Sequence, residues 1–176
     1  GAPARYVRGT DCHNYPVVIG TTEGAIADGV LAGKTDAEIL NDAAKSYLEN
    51  GTRFIDALSL QTLLNDTDDS NDPFILSIRS SADYLKGHIP GAVNIPWRSL
   101  FTVENLTLLP SDDTQIVVVC YTGQGASQIT ALLNVLGLNA TTLKHGMGSW
   151  TITATIAPNT FNATNHQMVN PIVNDI

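Results

Sequence analysis

The sequence predicts an α/β fold in which a parallel sheet is flanked by helices, and three observations support this. Short apolar strand candidates alternate with helical segments between residues 53 and 150, as in right-handed β–α–β units. The run Ile116–Val119 is apolar and β-branched, which is typical of a strand buried on both faces. Directly after it, Cys120 opens a loop of small and polar residues that leads into a helix.

The residues before 53 are predicted to form an extension with one helix. Residues 1–33 are loop-like, apart from a strand candidate at residues 16–19. Thr35 and Glu38 form a capping box, and the helix that follows it ends at Gly51. The side chains expected to be buried on this helix are Ile39, Leu40, Ala43, Ala44, Tyr47 and Leu48.

The middle of the chain is predicted to supply the sheet and its helices. The other strand candidates are residues 53–57, 74–78, 92–95 and 140–143. Ser59 and Ser80 are each expected to cap a short helix, and residues 97–101 and 103–108 favour helical turns. The helix after the cysteine loop is predicted over residues 126–136, and Gly137 ends it.

After Trp150 the pattern changes. Residues 151–156 alternate polar and apolar side chains, which predicts a strand with one exposed face, and the Asn-rich remainder has no helical period. The predicted organisation is therefore an extension over residues 1–52, a domain over residues 53–150 and an arm over residues 151–176.

Charge and composition exclude several classes of protein. The chain has 176 residues and a net charge of −8, and it contains no basic patch, so nucleic acid or an anionic membrane surface is not an expected partner. No apolar run approaches the roughly 18 residues that would span a bilayer. The cysteines are Cys12 and Cys120, too few for a disulfide scaffold or a zinc site. A Cys12–Cys120 bridge is one alternative, and it would consume the thiol.

Asn-x-Thr occurs five times, which is the acceptor pattern for N-glycosylation in secreted proteins. These asparagines are Asn50, Asn65, Asn105, Asn139 and Asn162. Together with a chain that opens at Gly1 without Met, they favour a processed protein that is secreted, periplasmic or on the cell surface. The alternative is chance in an Asn- and Thr-rich chain. The acidic stretch at residues 65–72 lacks the glycine and the closing Glu of a calcium loop, so it is interpreted as a solvated turn, and no metal or cofactor is expected.

The loop after Cys120 has the composition of an anion-binding loop. Glycines allow backbone N–H groups to turn inward, and the following helix N-terminus adds partial positive charge. Both favour a thiolate at Cys120 and an anion beside it. The alternative is a buried structural cysteine, since free Cys is among the most buried residue types. The loop residues that would bind substrate are Tyr121, Thr122, Gly123, Gln124, Gly125 and Ala126.

Four stretches in this order resemble a rhodanese domain, the sulfurtransferase module, over residues 53–150. Residues 73–80 resemble the family's strand that ends in Asp-x-Arg, and residues 84–96 carry Gly-His-Ile-Pro-Gly-Ala. Residues 120–125 resemble the active-site loop, and residues 143–150 resemble the closing glycine–tryptophan turn. The resemblance implies a parallel five-stranded sheet and a single-domain sulfurtransferase.

The resemblance also implies a chemistry for Cys120. Its thiolate would attack a sulfane sulfur and form a persulfide, which passes the outer sulfur to a thiol or cyanide acceptor. Backbone N–H groups from Tyr121 to Ala126 would hold the anionic persulfide. Arg79, His88 and Trp150 are expected to support the site structurally rather than to bind substrate.

This chain departs from the family pattern at two places. Ser77 stands where the family has the Asp of Asp-x-Arg, and the loop contains no Lys or Arg to meet a dianionic donor. Polysulfide or a protein persulfide is therefore as good a donor candidate as thiosulfate. A phosphatase is not expected, because such loops need an Arg at the position of Ala126.

A second hypothesis treats the same fold as a scaffold. In this alternative the protein is an extracellular structural protein, and residues 1–52 and 151–176 join copies into a homo-oligomer or filament.

Overall fold

The computed structural model describes residues 4–7, 17–20, 34–51 and 53–158. The strands are β1 (Ala4–Val7), β2 (Val17–Gly20), β3 (Phe54–Ile55), β4 (Phe74–Ser77), β5 (Val93–Asn94), β6 (Ile116–Val119) and β7 (Ala140–Leu143). The helices are α1 (Asp36–Glu49), α2 (Ala57–Leu63), α3 (Ser81–Lys86), α4 (Val103–Leu106), α5 (Gln124–Val135) and α6 (Met147–Trp150).

The main sheet has five parallel strands in the order β3-β7-β6-β4-β5. This confirms the predicted α/β class and the sheet that the family resemblance implies. β6 is central, and all four of its residues are buried, because helices cover both faces of the sheet. One apolar cluster contains Val118, Ala126, Ile129 and Leu133, and the other contains Leu60, Val117, Val119 and Met147.

A separate pair of strands precedes the main sheet. β1 and β2 pair antiparallel, with Arg5 opposite Ile19. The strand expected near residues 16–19 is therefore present, whereas the expectation that residues 4–7 are loop was wrong. A four-residue segment has too short a pattern to identify itself, and its pairing with β2 depends on a distant partner.

Two helices differ from their predictions in detail. The capping box of Thr35 and Glu38 is present at α1, but no residue of α1 is fully buried, and Leu40 and Leu48 are 56% and 74% exposed. The expected buried face is wrong at these two positions, because α1 packs mainly against α5 and this contact leaves Leu40 and Leu48 uncovered. At α2 the cap is Asp56 rather than Ser59, since the Asp56 carboxylate accepts from the Ser59 N–H.

Residues 151–156 do not form the predicted strand. Thr151–Thr153 are irregular, and the N–H groups of Ile156 and Ala157 both donate to the Thr153 carbonyl in a turn. The N–H groups of Ile156 and Ala157 therefore form hydrogen bonds within this segment and not with a neighbouring strand. Ile156 and Ala157 instead pack against the second apolar cluster.

The described residues contain neither a helix that could span a membrane nor a metal-binding cluster. None of their helices is both long and apolar enough to cross a membrane. None of their His, Cys, Asp and Glu side chains group in a way that could hold a metal ion. The acidic carboxylates of residues 66 and 68 instead accept from backbone N–H groups two residues on, as in a solvated turn.

Candidate active site

Cys120 lies at the carboxyl end of the central strand. β6 stops at Val119, and β7 and β4 flank it. The Cys120 side chain is 6% exposed and is a free thiol, while Cys12 lies outside the described residues. The edge formed by the carboxyl ends of parallel strands is where α/β folds bind ligands.

Two backbone N–H groups converge on the sulfur. The Gly123 and Ala126 N–H groups donate to Cys120 Sγ, with N···S distances of 3.1 and 3.3 Å. Gly123 caps α5 in the left-handed conformation, with φ of 93°, and α5 begins at Gln124, two residues earlier than predicted. The sulfur therefore sits at the positive end of a twelve-residue helix, and the two N–H groups that face it make this position suited to negative charge.

The turn after β7 braces the loop from outside. The Met147 and Gly148 N–H groups donate to the carbonyls of Cys120 and Tyr121, at 2.9 and 3.1 Å. A Cβ on Gly146 would lie 2.5 Å from the Cys120 carbonyl oxygen. This position needs glycine, because real Cβ atoms do not approach a backbone oxygen so closely.

Tyr121 is anchored to α3 through a contact that sequence reasoning missed. Its hydroxyl donates to Asp83 Oδ2 at 2.6 Å and accepts from the Ser80 N–H at 3.3 Å. The Lys86 ammonium, then the Tyr121 and Ser80 hydroxyls, hold the pKa of the Asp83 carboxyl well below its usual range. Ser80 and Asp83 already stood out as the start of α3, but their contact with residue 121 arises only in the folded sheet.

The other loop residues form a rim without charge. The Thr122 hydroxyl donates to the Gln124 side-chain oxygen, and Gln124 is exposed. Gly125 is half-buried in the first turn of α5, where a Cβ would lie 3.9 Å from Cys120 Sγ. The predicted loop thus supplies two backbone donors to the sulfur and carries only neutral side chains.

Arg79 lies behind Tyr121 and is closed off from solvent. It is 1% exposed, and its two terminal nitrogens donate to the carbonyls of Gly87 and Ile156. Its guanidinium carbon is 5.9 Å from the centre of the Tyr121 ring, and burial lowers its pKa. Arg79 Nε and the nearby Ser77 Oγ have no hydrogen-bond partner among the described residues. Arg79 therefore lies inside the fold between two parts of the chain: it lies against Tyr121 of the cysteine loop and donates to Ile156 of the 151–158 segment.

His88 and Trp150 lie on supporting elements. The His88 ring stacks on Tyr84 with centroids 3.8 Å apart, and its Nδ1 lies 3.0 Å from the Tyr84 carbonyl oxygen. Trp150 ends α6 and packs, half-buried, on the second apolar cluster. His88 and Trp150 therefore both contact parts of the fold that support the site.

The asparagines of the Asn-x-Thr pattern differ in exposure. Asn50 and Asn65 are exposed, and each side-chain amide donates to a carbonyl one helical turn earlier. Asn105 and Asn139 are half-buried, and their amides donate to the carbonyls of Ser99 and Asp113. Asn162 lies outside the described residues. Glycosylation and location outside the cytoplasm stay predictions.

Comparisons with known proteins agree on one family. A family model described as the rhodanese-like domain matches residues 57–153, more than half of the chain. The "Putative sulfur carrier protein YrkF" of Bacillus subtilis is 28% identical over 125 residues, which cover 69% of this chain and 66% of that protein. The chain thus spans just under two thirds of the length of this relative.

Solved structures share the fold. The SSP1007 protein of Staphylococcus saprophyticus is 25% identical, with a TM-score of 0.50, over 57% of this chain and 94% of that one. A rhodanese-like domain protein of Staphylococcus aureus is 22% identical, with a TM-score of 0.51, over 57% and 92% of the two chains. Both similarities are confined to a little over half of this chain.

Proposed function

The chain belongs to the rhodanese-like domain family, and from this we propose that it is a sulfurtransferase or sulfur carrier that works through Cys120. The observation that carries the proposal is the pair of N–H groups, from Gly123 and Ala126, that donate to Cys120 Sγ. The same donors favour an anion on the sulfur before and after it is loaded.

The proposed reaction has two half-reactions. In the first, the Cys120 thiolate attacks a sulfane sulfur, and the donor leaves with the electron pair of the bond that breaks. Thiosulfate would leave as sulfite, and a polysulfide would leave one sulfur shorter. In the second, a nucleophile attacks the outer sulfur, the S–S bond breaks, and Cys120 returns as a thiolate. With cyanide as the nucleophile, the product is thiocyanate.

The lack of charge on the loop affects which sulfur donor can load Cys120. Thr122 and Gln124 contact each other at the rim, and Arg79 is buried behind Tyr121, so no cation of the loop meets a dianion. Within the loop only backbone dipoles would bind thiosulfate, whereas a polysulfide or a persulfide has less charge per sulfur to neutralise. We expect polysulfide or a persulfide to load Cys120 at least as well as thiosulfate does.

Mass spectrometry of the Cys120 peptide tests the proposal directly. After exposure of the native protein to polysulfide or thiosulfate, we expect a gain of about one sulfur that cyanide removes, because the covalent intermediate resides on this thiol. The matched variants are Cys120→Ser, which should take up no sulfur, and Cys12→Ser, which should load like the wild type. No gain with either donor would overturn the proposal.

We also propose self-association through the N-terminal extension as a second role. The observation in its favour is that α1 leaves two large apolar side chains, Leu40 and Leu48, exposed to solvent. Light scattering on the full chain and on a Leu40→Lys/Leu48→Lys variant tests it. A larger species that the double substitution dissociates is expected, and a monomer in both samples would contradict the proposal.

A further inference from the structure

The turn after β7 contains a strained residue next to the candidate active site. The Gly146 N–H donates to the Leu143 carbonyl at 2.9 Å, which closes a four-residue turn with His145 in its third position. Among the described residues, His145 is the non-glycine residue with a positive φ, at 64°. Turns with this conformation usually place glycine there, because a side chain costs free energy. A residue held in strain is a reason to look for a function.

His145 abuts the residue that holds the sulfur. A Cβ on Gly123 would lie 3.0 Å from the His145 nitrogen and 3.3 Å from its Cα. The Gly123 N–H is itself 3.1 Å from Cys120 Sγ, measured from the nitrogen. Gly123 is therefore the single residue that lies between the His145 backbone and Cys120 Sγ.

The His145 imidazole is exposed and unengaged. Within residues 34–51 and 53–158, no hydrogen bond or ion pair involves it. The charged groups around it are few: Lys144 is on the same turn, and Asp56 follows Ile55, whose carbonyl accepts from the Lys144 N–H. The loop residues 121–126 and helix α6 contribute no charged side chain. The imidazole is thus open to an incoming molecule, on a turn whose backbone packs against Gly123.

We propose that His145 is the acid–base residue of the second half-reaction and that the acceptor it serves is a thiol; this rests on the function proposed above. The neutral imidazole takes the proton of the acceptor R–SH. The resulting thiolate attacks the outer sulfur of the Cys120 persulfide. The S–S bond breaks, its electron pair returns to Cys120 Sγ, and the imidazolium gives the proton to the transferred sulfur. The products are R–S–SH and the Cys120 thiolate.

The His145→Gly variant separates chemistry from folding. Glycine suits the positive φ, so we expect the variant to melt no lower than the wild type. Loading of Cys120 should be unchanged, and single-turnover transfer to a small thiol should slow by about a hundredfold, the low end of what acid–base catalysis contributes. Added imidazole should restore this transfer. Transfer to sulfite above neutral pH should be unchanged, because sulfite attacks without losing a proton.

The outcomes are distinguishable. Wild-type protein that never loads sulfur would overturn the proposed function and this inference with it. A His145→Gly variant that loads normally and transfers to thiols at the wild-type rate would overturn only the role of His145. Equal losses with thiol and sulfite, or a Lys144→Gly control that imidazole rescues to the same degree, would also overturn it.

Discussion

At the scale of single residues, Gly146 is the tightest position around the sulfur. With φ of 56° and ψ of −145°, it occupies backbone space that only glycine adopts readily. An added Cβ would also lie 2.9 Å from the nitrogens of Thr122 and Gly123, so backbone must move. We expect Gly146→Ala to lower the free energy of unfolding by about 3–5 kcal/mol, combining strain with overpacking, as measured by urea denaturation.

Gly91→Ala is the matched control for this substitution. Gly91 also has a positive φ, at 76°, but a Cβ there would meet nothing within 4 Å. We expect a loss of only about 1–2 kcal/mol, the cost of a left-handed side chain alone. Equal losses at the two positions would mean that crowding against the Cys120 carbonyl contributes nothing.

Sequence reasoning identified the cysteine loop because its signal is local. A β-branched strand, a cysteine, glycines and a helical period follow one another within residues 116–136. The Tyr121–Asp83 bond and the approach of His145 to Gly123 join residues far apart in the chain. Such contacts depend on how strands are ordered in the sheet, which no local pattern encodes.

At the scale of elements, Asp83 links α3 to the loop. Its carboxylate bonds to Lys86 at 2.6 Å and to Tyr121, and these partners depress its pKa. A depressed pKa in the folded state stabilises the protein above the unfolded pKa, about 3.9, and this contribution is lost as the pH falls through the folded value.

We therefore expect the stability gap, the difference in free energy of unfolding between the wild type and Asp83→Asn, to be largest near neutral pH. The gap should begin to shrink as the pH falls below about 4, because protonation then makes the two side chains alike. Urea midpoints collected across this pH range measure it. A gap that is the same at acidic and neutral pH would show that the charge of Asp83 is irrelevant to the link.

Element boundaries were less predictable than the elements themselves. At α2 both Asp56 and Ser59 are good capping residues, but it is Asp56, three residues earlier, whose carboxylate accepts from the Ser59 N–H. At residues 151–156 the polar–apolar alternation was real, but the N–H groups of Ile156 and Ala157 close a turn on Thr153 instead. Alternation predicts a strand only where a sheet edge is available to pair with it.

At the scale of the whole molecule, the described part of the core comes from the chain after residue 53. Among the described residues, both apolar clusters consist of residues after 53, and no residue of α1 is fully buried. We expect a chain that begins at residue 53 to keep a cooperative unfolding transition and a similar urea midpoint, because its core is intact. Loss of cooperativity in circular dichroism would contradict this.

The C-terminal end of the domain, by contrast, is stabilised by residues beyond Trp150. Ile156 supplies the carbonyl that accepts from the buried Arg79, its side chain covers Gly87, and Ala157 is 3% exposed. A chain that ends at residue 150 removes this acceptor and uncovers apolar surface. We expect it to be less stable by about 2–4 kcal/mol than a chain that ends at residue 158, because a buried donor loses its partner.

The chains that end at residues 150 and 158 both lack the Asn-rich tail. Any difference between their stabilities therefore comes from residues 151–158. The consequence should reach the candidate site, since Arg79 lies against the Tyr121 ring and Tyr121 follows Cys120. We expect the shorter chain to load sulfur on Cys120 more slowly, because a loosened Tyr121 leaves the loop N–H groups less well aligned with the sulfur. Mass spectrometry of the Cys120 peptide over time, in both chains, measures this rate. Equal stabilities and equal loading rates would mean that the segment is a passive extension of the domain.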